Sequence, residues 1–380
     1  MSWQEIALGS AIHVKHGYAF KSEFFADSGQ YIVLTPGNFN EQGGFRSRPE
    51  KDRSYSGNIP EAFILNEGDL IVAMTEQGPG LLGSSALIPE GNRYLHNQRI
   101  GLIDQIDSSI LEKRYLYFLF NTHSVRGQIR GSASGTKVRH TAPERVYRVL
   151  VRVPDVRTQG KIADILSAYN NLIENNRRRI ALLEESARLL YREWFVYLRF
   201  PGHEHVKAVD GIPEGWERKV LGSKIVLKYG KALKAENRIE GNVPVYGSSG
   251  VIGTHEKALI KGPGIIVGRK GNVGSVFWSD GDFYPIDTVY FIDSELSTFH
   301  LYHALLNMQF VSNDAAVPGL NRDFAYSRPY LEPAHRIAAL FEETVTPIYE
   351  QLFKLKAYND KLKQARDLLL PRLMSGEIAV

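Results

Sequence analysis

Residues 3–23 read WQEIALGSAIHVKHGYAFKSE, and a shift of 213 positions aligns them without a gap with residues 216–236, WERKVLGSKIVLKYGKALKAE. Ten of the 21 aligned positions are identical, including both tryptophans and the LGS triplet. A match of this length between distant parts of one chain indicates an internal repeat, which constrains the architecture before any single residue is interpreted. The sequence therefore predicts two related domains.

A second pair of similar segments follows the two copies. KIADIL at residues 161–166 resembles RIAALF at residues 336–341, and the apolar surroundings of Ala187-Arg188 resemble those of Ala365-Arg366. The repeated unit thus consists of a mixed domain followed by a long helical segment. The predicted order is domain, helix, domain, helix.

Strand and turn signals dominate both predicted domains. Short β-branched and aromatic runs alternate with Gly, Pro, Asn and Ser, as in YIVLTPGN and NVPVYGSSGVIG. Helical stretches intervene at residues 112–121 and 298–307. The predicted fold class is α+β, with two mixed domains separated by two long antiparallel coiled-coil helices in an internal pseudo-twofold repeat.

Apolar residues recur every three or four positions in both helical segments, which is typical of a coiled coil. The first seam is predicted to contain Ile162, Ile165, Tyr169, Leu172, Ile180, Leu183, Ala187, Leu190 and Trp194, with a stutter near Asn176. The second is predicted to contain Phe341, Val345, Ile348, Leu352, Leu355, Asn359, Leu362, Arg366, Leu369 and Leu373. Pro347 is expected to kink or restart this helix. The paired helices would act as a spacer, or alternatively only as a hydrophobic support.

The predicted boundaries follow from these patterns. The first domain covers residues 1–156, its spacer helix 157–200, a linker 201–215, the second domain 216–332 and the second spacer helix 333–376. The linker contains three Gly, two Pro and no apolar period, which is typical of a connecting segment.

Composition excludes several classes of function. The chain has no cysteine, so it cannot form a disulfide, a Cys-ligated zinc site, an iron–sulfur cluster or a thiol nucleophile. It shows neither an export signal nor an apolar run of about eighteen residues, so a cytoplasmic protein is expected. The net charge of +4 is too small to predict a nucleic-acid partner, so any DNA-binding charge must be locally clustered.

Motifs for catalysis are weak or absent. GPGLLG at residues 78–83 satisfies GxGxxG but has no helix or acidic ribose contact in the required place. His203 and His205 lie in the linker, while His300 and His303 lack a third metal ligand, which favours burial in a helix. The sequence therefore predicts a non-catalytic chain that holds no cofactor or metal of its own.

Several polar loops carry side chains suited to DNA. Arg and Lys suit phosphates or guanine edges, Asn and Gln suit adenine, and neighbouring glycines let backbone amides approach phosphates. The candidates in the first domain are Arg46, Arg48, Arg53, Gln77, Asn97, Arg99, Arg130, Lys137 and Arg139. Those in the second domain are Lys231, Ser248, Arg269, Lys270, Asn272, Asn321 and Arg322. Each loop taken singly is more often an ordinary exposed loop.

Longer strings, in the same order, resemble the DNA-specificity subunit of type I restriction-modification systems. They are WxxxxLG at residues 3–9 and 216–222, VAMTEQGPGLLG at 72–83, PVYGSSGVIG at 244–253, GRKGNVG at 268–274, YPIDTVYFI at 284–292, DAAVPGLNRD at 314–323 and ARDLLLPRLMSGEI at 365–378. The resemblance covers nearly the whole chain.

This resemblance implies two target-recognition domains that each read one half of a split DNA site in the major groove, with two antiparallel helices setting the gap. It implies double-stranded DNA, two modification subunits and, for cleavage, two restriction subunits as partners. S-adenosylmethionine, ATP and Mg²⁺ would be bound by those partners, and the assembled complex would be an adenine DNA methyltransferase and an ATP-dependent endonuclease. Partner contacts are predicted at Asn176, Arg177, Arg178, Tyr191, Trp194, Leu369 and Leu373.

Two alternatives remain open from the residues alone. One is a protein–protein adaptor whose coiled coil recruits partners and whose domains read no specific DNA, which the near-neutral charge would suit. The other is an enzyme with carboxylate chemistry that no motif reveals, such as a stand-alone nuclease.

Overall fold

The computed structural model describes residues 3–78, 80–310 and 319–380. It divides into two compact units: unit 1 comprises Met1–Glu174 and Asn359–Val380, and unit 2 comprises Asn175–Tyr358. Each unit contains one of the repeated domains together with one part of each long helix. Pro79 of the VAMTEQGPGLLG string and residues 314–318 of the DAAVPGLNRD string lie outside the described residues.

The elements follow in chain order. The strands of unit 1 are β1 (Gln4–Ala7), β2 (Ile12–His16), β3 (Phe25–Ala26), β4 (Ile32–Val33), β5 (Arg53–Tyr55), β6 (Leu70–Ala73), β7 (Thr75–Glu76), β8 (Ser85–Leu87), β9 (Tyr94–Leu95), β10 (Ile100–Ile106), β11 (Arg139–His140) and β12 (Leu150–Val153). Its helices are α1 (Lys113–Phe120), α2 (His123–Ser132), α3 (Pro143–Tyr147) and the start of the long helix α4 (Val156–Tyr191).

Unit 2 repeats this alternation. Its strands are β13 (Ala208–Val209), β14 (Ile212–Pro213), β15 (Glu217–Val220), β16 (Lys228–Tyr229), β17 (Val243–Gly247), β18 (Gly250–His255), β19 (Gly264–Gly268), β20 (Val276–Ser279), β21 (Tyr284–Pro285), β22 (Val289–Ile292) and β23 (Pro329–Glu332). Its helices are α5 (Phe299–Leu306), α6 (Arg322–Tyr326) and the start of the long helix α7 (His335–Met374). No helix of the described residues has both the length and the apolar character that a membrane span requires.

The central sheets of the two units have the same topology. The strand order is β2-β10-β6-β8 in unit 1 and β16-β22-β19-β20 in unit 2, and all neighbours are antiparallel. The inner strands β6, β19 and β22 are short apolar runs buried along their whole length, as expected of strands covered on both faces. An antiparallel ribbon, β1–β12 or β15–β23, also recurs. The predicted internal repeat is confirmed.

The glycine of the repeated LGS triplet has the same structural role in both units. A Cβ on Gly9 would lie 2.5 Å from Tyr147 Cβ, and one on Gly222 would lie 2.7 Å from Tyr326 Cβ. These tyrosines end α3 and α6, and their hydroxyls accept hydrogen bonds from the backbone N–H of Val14 (3.0 Å) and Leu227 (2.9 Å). Only glycine allows a tyrosine to pack this closely on the backbone.

The long helices pair antiparallel within each unit. In unit 1, Asn359 Nδ2 donates to Ile173 O (3.3 Å) and Arg366 Nη1 donates to Asn170 Oδ1 (2.8 Å), so rising numbers in α7 meet falling numbers in α4. In unit 2, Lys356 Nζ donates to Glu184 Oε1 at 3.0 Å, and the rings of Phe341 and Trp194 lie 5.7 Å apart. The predicted antiparallel direction is confirmed within each unit.

In the first half of the α4 seam, Ile162 is buried as predicted, but two of the predicted positions are wrong by one residue. Ile165 and Leu172 are 36% and 45% exposed, whereas Leu166 and Ile173 are buried. With half-buried Tyr169 between them, the spacing of three and four continues to Asn176, which is 4% exposed. The apolar pattern gave the wrong register because a polar asparagine occupies a core position.

The seam of α7 follows the prediction more closely. The buried positions include Phe341, Val345, Leu352, Leu355, Asn359, Leu362 and Leu373. The helix continues through Pro347, so the expected restart does not occur. Buried Val345 and Tyr349 flank the proline, and their packing offsets the one hydrogen bond that proline removes.

The predicted linker contains a short hairpin. β13 and β14 pair antiparallel across Asp210 and Gly211, which both have positive φ angles of 50° and 75°. An Asp-Gly pair is a common two-residue hairpin turn because both central residues need positive φ. The Asp-Gly pair is therefore a sequence signal that predicts this hairpin.

His300 and His303 lie in the core of unit 2. They are 5% and 2% exposed, and the His303 ring stacks on Tyr191 at 5.5 Å. His303 Nε2 is hydrogen-bonded to the Tyr349 hydroxyl at 2.8 Å. Burial lowers the pKa of both imidazoles to about 4, and at His300 the neighbouring His303 contributes to this lowering. Both rings are therefore neutral in the folded protein near pH 7.

We expect unit 2 to lose stability as the pH falls from 6.5 towards 4. The unfolded histidines titrate with a pKa near 6.5 and the folded ones near 4, so the unfolded state binds more protons in this window. The two sites together should cost about 4 kcal/mol at pH 5 relative to pH 7.5. Urea unfolding at both pH values measures the loss. The double variant H300Q/H303Q should show a flatter pH dependence, and an unchanged one would contradict the assignment.

Candidate nucleic-acid interface

Loops from distant parts of the sequence meet at one end of the central sheet of unit 2. Arg269 N–H donates to Thr288 O (2.9 Å), Leu320 N–H donates to Arg269 O (2.8 Å), and Lys231 N–H donates to Pro285 O (3.0 Å). These bonds join the segments that follow β16 and β19 to those that precede β22 and α6. In the sequence, these segments lie up to about ninety residues apart.

The turn between β17 and β18 belongs to the same group. Ser275 Oγ donates to Ser248 O (2.7 Å), and Asn272 Nδ2 donates to Ser249 Oγ (3.3 Å). Lys270 forms an isolated bridge with Gly319. The structure thus brings together the residues predicted for DNA in the second domain, and we call this group the unit 2 loop cluster: Lys231, Ser248, Arg269, Lys270, Asn272, Asn321 and Arg322.

Asn321 has a local structural role as well. Its Oδ1 accepts hydrogen bonds from the backbone N–H of Asp323 (2.7 Å) and Phe324 (3.2 Å), which caps α6. The cap fixes the start of α6, where Arg322 lies. The side-chain carbonyl of Asn321 is therefore occupied within the chain.

Equivalent connections occur at the same end of the unit 1 sheet. Met74 N–H donates to Arg99 O (3.0 Å), Thr141 N–H donates to Met74 O (2.9 Å), and Gln98 N–H donates to Tyr18 O (3.0 Å). β7 pairs with β11, which sets Arg139 opposite Glu76. These bonds define the unit 1 loop cluster, which holds the predicted residues Gln77, Asn97, Arg99, Arg130, Lys137 and Arg139.

Glu76 holds the loop that follows β7. Its carboxylate is 3% exposed, and Oε2 accepts hydrogen bonds from the backbone N–H of Gly80 (3.0 Å), Leu81 (3.0 Å) and Leu82 (2.9 Å). Arg130 Nε lies 3.8 Å from the other oxygen. A carboxylate bound to three amides and near a guanidinium fixes the backbone beside Gln77.

An open cleft of about 500 Å³ lies beside this loop. Gly127, Arg130, Gly131, Ala133, Gly135 and Arg139 line it. Arg126, one turn before Arg130 on α2, is largely buried and donates through Nη1 to Glu41 O. Burial lowers the pKa of Arg126, and neighbouring Arg130 lowers it too, while Glu76 and Glu41 act in the opposite direction.

Residues 1–185 and 213–323 match the model of the type I restriction modification DNA specificity domain. The chain belongs to this family. The two matched segments contain both loop clusters, and the chain is a sequence-specific DNA-recognition subunit.

Two similar proteins are named as specificity subunits of type I restriction enzymes. The chain is 23% identical over 299 residues to the type I restriction enzyme MjaIX specificity subunit of Methanocaldococcus jannaschii, which covers 70% of this chain and 69% of the relative. It is 23% identical over 406 aligned positions to the HindI specificity subunit of Haemophilus influenzae, covering 83% and 87%. A crystal structure of the type I S subunit from M. genitalium has the same fold, with a TM-score of 0.61, 19% identity and coverage of 98% and 96%.

Three predicted residues of this specificity subunit lie on a different part of unit 1, at the loops around β5. Arg48 is half-buried and lies with Nε 3.9 Å from Asp52 Oδ1, while Arg53 Nη2 lies 3.5 Å from Asp27 Oδ1. The carbonyl of Arg46 accepts a hydrogen bond from Asn38 Nδ2 (3.2 Å). These contacts place Arg46, Arg48 and Arg53 outside the unit 1 loop cluster, and their role in DNA binding stays a prediction.

Four of the predicted partner residues are buried within their own unit, namely Tyr191, Trp194, Leu373 and Asn176. Tyr191 and Trp194 are 7% and 6% exposed in the core of unit 2, and Leu373 is 2% exposed in the core of unit 1. Their side chains are therefore used in packing within their own unit. Leu369 packs partly buried against the unit 1 core and Asn176 is buried, whereas Arg177 and Arg178 lie on the exposed face of α4.

Sequence reasoning missed Glu76, Arg126 and Tyr229. Glu76 belongs to no motif that would mark it in the sequence, and only the fold shows the three amides around it. Tyr229 had a usable signal: the repeat alignment sets it opposite His16, at a position where the two copies differ.

Proposed function

We propose that the two loop clusters each read one half of a bipartite DNA site through the major groove. The observation that supports this proposal most is that the two clusters are equivalent. They have the same sheet order and the same backbone hydrogen bonds, but their side chains differ. Equivalent scaffolds present the loops alike, while Arg99, Arg130 and Arg139 in one unit and Lys270 and Arg322 in the other offer different contacts. The expected site is therefore split and asymmetric.

We further propose that the chain directs the chemistry of other subunits. Two modification subunits would bind S-adenosylmethionine and flip the target adenine, and restriction subunits would use ATP and Mg²⁺ for cleavage. Family membership and the duplicated architecture support this arrangement, because a repeated chain offers two similar docking places. The complex would act in the cytoplasm, where chromosomal DNA is its substrate.

Methylation in cells tests this function. DNA from cells that express the chain with its modification subunit is expected to carry methyladenine within one split motif with a fixed gap. The modification subunit expressed alone is the control and should leave the motif unmethylated. Methylation of the same motif without this chain, or methylation without any motif in its presence, would refute the role in specificity.

A further inference from the structure

The two loop clusters differ at one equivalent place beside the central sheet. Arg269 follows β19 in unit 2 and has the backbone bonds that Met74 has after β6 in unit 1. Tyr290 of β22 lies opposite Tyr229, and the corresponding residue of β10 is Gly101, opposite His16. Met74 is 2% exposed, so an apolar side chain closes this place in unit 1. Unit 2 has an arginine and aromatic rings instead.

Arg269 is fixed before any ligand arrives. Its Nε and Nη2 donate to Asp287 O at 3.2 and 2.6 Å. Its guanidinium carbon lies 5.2 Å from the centre of the Tyr229 ring and 5.8 Å from that of Tyr290. A guanidinium held by a carbonyl and by ring faces loses little freedom on binding.

A second arginine meets the same ring. The guanidinium carbon of Arg322 lies 5.2 Å from the centre of the Tyr229 ring, which is 53% exposed. Tyr290 is buried, and its hydroxyl donates to Leu320 O at 3.0 Å, which fixes the segment that leads to Arg322. The ion pairs found within residues 3–78, 80–310 and 319–380 involve other cations, such as Lys228 with Asp293 and Lys219 with Glu332. Two like charges on one exposed ring raise the local positive potential, which favours the binding of an anion at this place.

We propose that Arg269, Arg322 and Tyr229 form a clamp for one backbone phosphate of the DNA, which the equivalent place of unit 1 lacks. The inference rests on the proposed function, since its ligand is the DNA of that site. A phosphate is favoured over a base edge because Arg269 is folded back on Asp287 O with two donors in use. Reading guanine requires an arginine that extends into the groove.

Salt-dependent binding of the full-length chain tests the clamp. R322A is the main variant, since Arg322 is exposed, and R269A is the second. Each is expected to weaken binding about tenfold, both to the motif identified by the methylation experiment and to an unrelated duplex. Each should also reduce the slope of log K against log salt by about one. R328A is the matched control, because Arg328 stacks on Phe324 at 5.2 Å outside the loop cluster, and it should bind like the wild type.

Duplexes with one neutral methylphosphonate at successive positions locate the phosphate. At a single position, the neutral linkage should weaken the wild type but not R322A any further. A loss confined to one base pair with an unchanged salt slope would overturn the clamp in favour of base reading. If R322A and R269A both bind like R328A, the clamp is wrong. In that case, a wild type that still prefers its motif leaves the proposed function intact. A wild type without any motif preference would remove the proposed function and the clamp with it.

Discussion

Replacing Phe341 with alanine is expected to lower the free energy of unfolding of unit 2 by about 3–5 kcal/mol. Phe341 is fully buried, and its ring contacts those of Phe195 (5.0 Å), Trp194 (5.7 Å) and Tyr191 (6.0 Å). These three residues come from the end of α4 and the turn after it, so the ring joins both long helices within unit 2. Its removal leaves a cavity among rigid aromatic groups that cannot collapse to fill it.

Urea unfolding followed by far-UV circular dichroism measures this loss. L368A is a matched control, because Leu368 lies on the same helix and is 70% exposed, and it should change the unfolding free energy by less than about 0.5 kcal/mol. An F341A protein as stable as L368A would show that the helix packing of unit 2 is wrong.

Exchange of the second domain is expected to replace one half of the recognised DNA site and leave the other half unchanged. The exchanged segment would run from Glu217 to Glu332, which are paired residues of β15 and β23. Because the segment enters and leaves through adjacent strands, a related domain can be joined there with little strain. Binding to the original site should fall about a thousandfold or more, towards the non-specific level.

The reciprocal exchange serves as the control for this prediction. Gln4 and Val153 pair in β1 and β12, so the first domain has the same entry and exit. Its exchange should alter the other half-site alone. If either exchange altered both halves, the division of labour between the loop clusters would be wrong. Selection of bound duplexes from a random library reports both outcomes.

The repeat was predictable from sequence because its determinants are local. The glycine of each LGS triplet is required by a tyrosine that packs on it, and the aligned segment also includes the first strand of each central sheet. The tyrosines themselves, Tyr147 and Tyr326, were not predictable as partners, because they lie more than a hundred residues from Gly9 and Gly222 in varied surroundings.

The helix seam shows where pattern reasoning fails. An apolar period identifies α4 and α7 as long helices, yet buried Asn176 looked like an interruption and displaced the predicted seam to Ile165 and Leu172. Apolar periodicity cannot identify a core position that is occupied by a polar residue. Pro347 predicts a restart of the second helix, but α7 continues through it because packing on both sides maintains the helix.

The loop clusters were predicted in residue type but not in arrangement. Arg269, Lys270 and Arg322 were chosen for their chemistry, and the fold brings them to one end of a sheet through backbone bonds that connect distant segments. The same chemistry selected Arg48 and Arg53, which are placed beside Asp52 and Asp27 elsewhere in unit 1. The charge of a side chain identifies a candidate DNA-binding residue, and the strand order of the sheet determines which candidates lie close together.

The central claim is that two equivalent loop clusters each read one half of a split DNA site. Selection from a random duplex library by the full-length chain with its modification subunit, at moderate salt, tests it most directly. We expect the retained sequences to contain two short conserved blocks separated by a gap of fixed length. Strong retention without a motif would leave only non-specific electrostatic binding, and a single uninterrupted motif would contradict the two-cluster account.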